Sequence, residues 1–194
     1  MSKVLISYKK KQNESPYLRS WIQSDIIHLV KKHIEHPVWP EMRNFIPPLR
    51  GTGPSLFSSN HLSNRRHLVK VTGFHAVHNY TVYGSVRDAD CHLLVEFTPQ
   101  CVAEFERHHN IRLTSNTINT IFLIGGATLK YLPVYELRRS DKWVVNICVD
   151  PQIPVIPILV VEECSAFDLD QVETRLRFPY VYSLHEFVSI FHQT

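Results

Sequence analysis

Cys91–His109 reads CHLLVEFTPQCVAEFERHH. Cys91 to Phe97 is a short run dense in Leu, Val and Phe, which predicts a strand. Thr98 and Pro99 then supply an N-cap and a first helical residue, since proline's fixed φ and missing N–H cost nothing there. A short helix should follow through His108, burying Val102, Phe105 and Cys101 on one side. A helix set between strands, rather than at the end of them, decides the fold.

On both sides of this stretch the apolar residues recur with period two. Upstream, Leu68–Phe74 carries Val69 and Val71 on one face, with Gly73 marking a bulge near its end. Tyr80–Val86 alternates again, and Arg87 to Asp90 reads as a turn. Downstream come Thr120–Ile124, ending at the bend Gly125-Gly126, then Leu129–Leu137, Trp143–Val149 and Val155–Val161. Helices are expected at both ends. One runs from Pro16 to Ile34 behind a Ser15 cap, and the other covers Tyr182–Phe191; Phe167–Val172 reads as a helical turn. Residues 36–67, punctuated by Pro37, Pro40, Pro47, Pro48, Gly51, Gly53 and Pro54, form a long irregular connector, with Trp39, Phe45 and Phe57 packing parts of it down. Five or six short strands with one helix midway fit a small closed Greek-key barrel, an OB-fold, rather than an open parallel sheet. The expectation is a single domain over 1–194, with a helical tail at 183–194.

The 194 residues are 44% hydrophobic and 20% charged, as in ordinary globular chains. No apolar run reaches the roughly 18–20 residues of a membrane helix, and Met1–Lys11 lacks a signal-peptide core, so the chain is expected inside the cell. The net charge of +3 divides unevenly. Residues 1–70 hold twelve Lys and Arg against four Asp and Glu, whereas 71–194 hold nine against fourteen. A barrel built for phosphates would carry its positive charge on the folded face. Here the predicted barrel is acidic.

No GxxxxGK[ST] or GxGxxG loop is present, and no nucleophile elbow marks a hydrolase. Asp88, Asp90, Asp168 and Asp170 form two DxD pairs, better read as turns and caps than as cation ligands. His28, His33 and His36, and His108 and His109, lack a second cluster at ligand spacing, so no metal or cofactor is expected. Cys91, Cys101, Cys148 and Cys164 show no CxxC and read as buried or partly buried free thiols. Tyr80, Tyr83 and Phe122 could stack on bases or fill the barrel, and the acidic core favours filling.

The chain resembles the family of the third ever-shorter-telomeres protein, small telomerase subunits of budding yeasts. The match lies in LRSWI (Leu18–Ile22), NYTVYGSVRD (Asn79–Asp88), LLVEFTPQCVAEFERHHNIRLTSNT (Leu93–Thr117), LIGGA (Leu123–Ala127), FDLDQV (Phe167–Val172) and FPYVY (Phe178–Tyr182). The resemblance implies an OB-fold like that of the telomerase-recruiting shelterin subunit, no catalysis, and a nuclear role at the telomeric chromosome region. It also implies binding to the telomerase reverse transcriptase or its other subunits, promoting telomere extension. By the same resemblance Phe105, Glu106, Thr117, Asn119 and Val172 match a telomerase-interaction surface. Trp21 and Asp170 match a second association site, with core burial an equal alternative for Trp21. Asp88 and Arg112 match a structural ion pair. The chain departs from the family at Asn116, where relatives carry an acid, in the 36–67 connector, and in the residues beyond FPYVY. The competing reading is an OB module for single-stranded telomeric DNA or telomerase RNA, for which contact with nucleic acid is otherwise weak or indirect.

Overall fold

The computed structural model describes residues 17–35, 45–49, 67–114, 116–169, 173 and 176–192. Five strands, β1 (Leu68–His78), β2 (Thr81–Arg87), β3 (His92–Phe97), β4 (Ile121–Pro133) and β5 (Val155–Asp168), close into a barrel in the order β1-β2-β3-β5-β4. Every seam is antiparallel except β3 with β5, which is parallel and short, from Val95–Phe97 against Leu159–Val161. With helix α2 (Pro99–His109) inserted between β3 and β4, this is the OB-fold.

The local chemistry explains each element. The β1–β2 hairpin turns on Asn79 and Tyr80, both with positive φ (48° and 62°), the pairing that matches strand twist in a two-residue turn. A register shift between Val71 and Gly73 bends β1 where the glycine was expected to mark a bulge. Helix α2 begins as the sequence predicts. The Thr98 hydroxyl accepts from Cys101 N at 3.2 Å, Pro99 takes the first turn, and Asn110 closes the helix in the left-handed region.

Five expectations are corrected. The strands expected at Thr120–Ile124 and Leu129–Leu137 are one strand, β4, which passes through Gly125-Gly126 instead of ending there. Gly126 bends the strand at φ 55°, and Gly125 admits a neighbour: a Cβ there would lie 2.6 Å from Leu49 Cγ. Thus the glycines open room for residues 45–49, where Ile46 bridges Ala127 and Leu49 N donates to Glu163 Oε2 at 2.8 Å. Phe45 packs as expected, whereas Trp39 and Phe57 lie outside the described residues. Beyond Pro133 the chain turns into helix α3 (Val134–Arg139) rather than continuing extended to Leu137.

Trp143–Val149 is irregular and forms no strand. Trp143 and Val149 are buried with exposed residues between them, so the alternation imitates a strand while side chains, not a ladder, anchor the segment. Trp143 meets the Tyr83 ring edge-on at 5.1 Å. Strand β5 runs on to Asp168, taking up the start of the expected helical turn at Phe167, while residues 170–172 lie outside the description. Finally, α1 spans Ile22–Glu35 and starts later than expected. Its apolar stripe Ile22, Ile26 and Val30 is buried, and Tyr17–Trp21 lead into it without helix. The C-terminal stretch is a 3-10 turn, Val181–Ser183, followed by α4 (His185–His192).

Candidate protein-association surface

Helix α2 has an inner and an outer side; of the residues carried over from the family Phe105 and Glu106 lie on it, while Thr117 and Asn119 follow in the loop before β4. Phe105 is 1% exposed and packs edge-on against Phe122 at 5.3 Å. It is a core residue, which corrects its expected place on a surface: an aromatic one helical turn after buried Cys101 must face the barrel. Thr117 is likewise fully buried, its hydroxyl donating to the Leu113 carbonyl. Asn119 is half-buried with φ 64°, and its N–H donates to Val71 O at 2.8 Å. Val172 lies outside the described residues.

Glu106 is half-buried and accepts from Leu113 N at 3.1 Å, so it folds residues 110–113 back onto the helix. What remains outward is Ala103, Arg107 and His108 on the helix, followed by Asn110, Ile111 and Arg112 in the loop. Ile111 is 39% exposed. Although the sequence from 71 onward is acidic, the exposed charges here are Arg107 and Arg112, while half-buried Glu104 accepts from Gln100 at 3.3 Å. Phe105→Ala should therefore report on folding before binding. Deleting this buried ring should lower stability by about 3–5 kcal/mol, read as a shift of the urea midpoint.

Asp88 and Arg112 do not pair. The Asp88 carboxylate is fully buried and accepts four backbone N–H groups: Trp21 and Ile22 on Oδ2, both at 2.7 Å, and Asp90 and Cys91 on Oδ1, at 2.8 and 3.0 Å. It thus caps α1 from a distant turn and fixes that turn at once. Arg112 is exposed. The guanidinium beside Asp88 belongs to Arg87, buried, donating to the Asp88 carbonyl at 2.8 Å and lying 4.3 Å over the Phe178 ring. Trp21 is core: it is 4% exposed, its Nε1 donates to Leu68 O at 3.2 Å, and it meets His67 edge-on. Asp170, matched with Trp21 to the second association site, lies outside the described residues.

A second set of residues carries structure that the sequence did not reveal. Phe178–Tyr182 straps across the barrel. His92 donates to it twice, N–H to Pro179 O at 2.8 Å and Nδ1 to Phe178 O at 3.0 Å, while Ser85 Oγ lies between Tyr180 OH and His75 Nε2 at 2.8 and 2.7 Å. Burial, foremost, lowers the His92 and His75 pKa values and keeps both rings neutral donors or acceptors. The recurrence of Phe, Tyr and Tyr in FPYVY was the available signal, but nothing in it said which strand they cross. Of the rings considered for base stacking, Tyr83 and Phe122 are buried and Tyr80 is 82% exposed at the hairpin tip. Among the described residues no cluster of His, Cys, Asp and Glu is set to hold a metal, and no helix is long and apolar enough to cross a membrane. Cys148 is exposed, against the expectation of burial.

A five-stranded barrel closed by a parallel β3–β5 seam, with helices before, within and after it, defines an OB-fold protein of the helix-elaborated class. The family model described as the shelterin complex subunit TPP1/ACD matches residues 18–183. Telomere replication protein EST3 of Candida glabrata is 39% identical over 170 residues, covering 87% of this chain and 91% of its own. The protein of the same name from Kluyveromyces lactis is 31% identical over 188 residues, covering 95% and 100%. A solved structure titled Est3 telomerase subunit in the yeast Hansenula polymorpha superposes with a TM-score of 0.54 at 15% identity, over 94% of this chain and 89% of that one, a likeness of fold. The chain belongs to the family of telomere replication protein EST3, within the wider TPP1/ACD group.

Proposed function

We propose that the chain is a non-catalytic subunit of telomerase in the nucleus, at the telomeric chromosome region, and promotes telomere extension by docking on a polypeptide of the enzyme, the reverse transcriptase subunit or another. The outer side of α2 and the loop that Glu106 holds against it form the docking face. One observation carries this reading: the inner side of the same helix is locked into the core, while its outer side and the loop after it expose Arg107, Ile111 and Arg112. Arginines set around an apolar residue are typical anchors of protein interfaces. Phe105 and Thr117 act beneath the face, Asn119 is tied to β1 instead, and the telomere-replication names of the relatives support the setting in which the face serves.

Replacing Arg107 and Arg112 together by Glu tests this. Co-purification with telomerase should fall at least about tenfold, equivalent to roughly 1.4 kcal/mol, with the unfolding midpoint unchanged. Retained association would place the face elsewhere. Glu106→Lys is a poorer probe, because it also frees the Leu113 N–H. Pull-downs with each telomerase component alone then identify which polypeptide is touched.

A further inference from the structure

Cys101 Sγ and Cys164 Sγ lie 3.4 Å apart, in contact, although 63 positions separate them in sequence. Cys101 occupies the first turn of α2, buried, with its N–H fixed by Thr98; Cys164 is half-buried on β5, opposite Ile124 of β4. Both thiols therefore sit on rigid elements that already hold the sulfurs together, and no loop has to move for them to meet. Of the other cysteines, Cys91 is buried on the turn that Asp88 organises, and Cys148 is exposed.

We propose that Cys101 and Cys164 form an oxidisable dithiol whose oxidant is a hydroperoxide and whose product is a disulfide stapling α2 to β5. Cys164, the more accessible of the two, reacts first. Its thiol gives up a proton, and the sulfur attacks one peroxide oxygen. An S–O bond forms, the O–O bond breaks, and the departing oxygen takes up a proton to leave as water or an alcohol. Cys101, deprotonated in turn, attacks the sulfenic sulfur; the S–S bond forms, the S–O bond breaks, and the hydroxide leaves as water. Two electrons pass from the sulfurs to the peroxide. In a reducing compartment the dithiol is the resting form. Contact with Cys101, followed by burial, pushes the Cys164 thiol well above its usual pKa, so closure should be slow near neutrality and faster as pH rises.

The experiment uses the full chain carrying Cys148→Ser, which removes the exposed thiol. Hydrogen peroxide is added, thiols are counted, and peptides are mapped without reduction. The expected result is loss of two of the three remaining thiols, a Cys101–Cys164 linked peptide, and a Tm raised by about 5 °C or more that reductant reverses. In Cys101→Ser the link should vanish and Cys164 should be trapped by dimedone as the sulfenic acid. A linked peptide joining Cys91 to either partner, or over-oxidation of Cys164 with Cys101 still free, would overturn the proposal. So would three unreacted thiols in peroxide at pH 9.

Discussion

Asp88→Ala is expected to lower the unfolding free energy by about 4 kcal/mol or more, a large share of the roughly 5–15 kcal/mol that holds such chains folded. The reason is the number of donors that converge on one buried carboxylate. Trp21 and Ile22 offer the first orphan N–H groups of α1, and Asp90 and Cys91 offer those of the turn between β2 and β3. Removing the acceptor leaves buried N–H groups without partners, each worth on the order of 1–3 kcal/mol. Asp88→Asn should lose much of the same energy, because its amide nitrogen would point a donor at other donors. Arg112→Ala should change stability by no more than about 0.5 kcal/mol, as expected of an exposed side chain. Urea titration of the three variants decides between the cap seen here and the ion pair that the family resemblance implied. Equal losses in Asp88→Ala and Arg112→Ala would restore the pair.

Tyr182→Phe should cost about 2–4 kcal/mol although it removes a single oxygen and leaves no cavity to speak of. The Tyr182 hydroxyl donates to Pro157 O at 2.7 Å and accepts from Leu94 N at 3.2 Å, in a fully buried position. It sits where the parallel β3–β5 seam ends, since pairing begins only at Val95 and Leu159. Pro157 has no N–H with which to extend the ladder, so the phenol bridges the two strands in its place. Burial pushes the Tyr182 pKa far up, keeping the proton on the oxygen that must donate. Amide exchange at Leu94 should quicken more in this variant than at Val82, whose pairing lies on the other side of β3 in a regular antiparallel seam. Uniform acceleration of both amides, with stability unchanged, would show that the seam closes without the hydroxyl.

The barrel was legible because its cues are local. Thr98-Pro99 supply a cap and a first helical residue from adjacent positions, and β1, β2 and β3 are short runs rich in Val, Leu, Tyr and Phe, with β2 and β3 buried along nearly their whole length. Errors arose where distant residues set the outcome. Gly125-Gly126 reads as a strand end until Leu49, far off in sequence, is seen to need the space. Trp143–Val149 alternates like a strand, but alternation records burial and cannot supply a hydrogen-bonding neighbour. A helix from Pro16 behind a Ser15 cap reads well locally, but the true cap, Asp88, lies 66 positions from Ile22.

Which residues of α2 face the core and which face outward was not legible in the motif. The resemblance carried by FERHH does not say which of its residues touch a partner and which are buried. Phe105 and Thr117, matched in the resemblance, are both buried. Arg107 and Ile111 lie in the same stretch and are exposed, and the period of a short helix does not by itself give the direction of the loop beyond it.

The docking face itself is most directly tested by a photo-crosslinking amino acid at position 107, and in parallel at position 144, in protein assembled into telomerase. Val144 is 72% exposed and lies off α2, so it controls for accessibility. Position 107 should yield a covalent adduct with a polypeptide subunit of the enzyme, and position 144 none. Adducts from 144 alone, or from both positions equally, would contradict a face built on the outer side of α2.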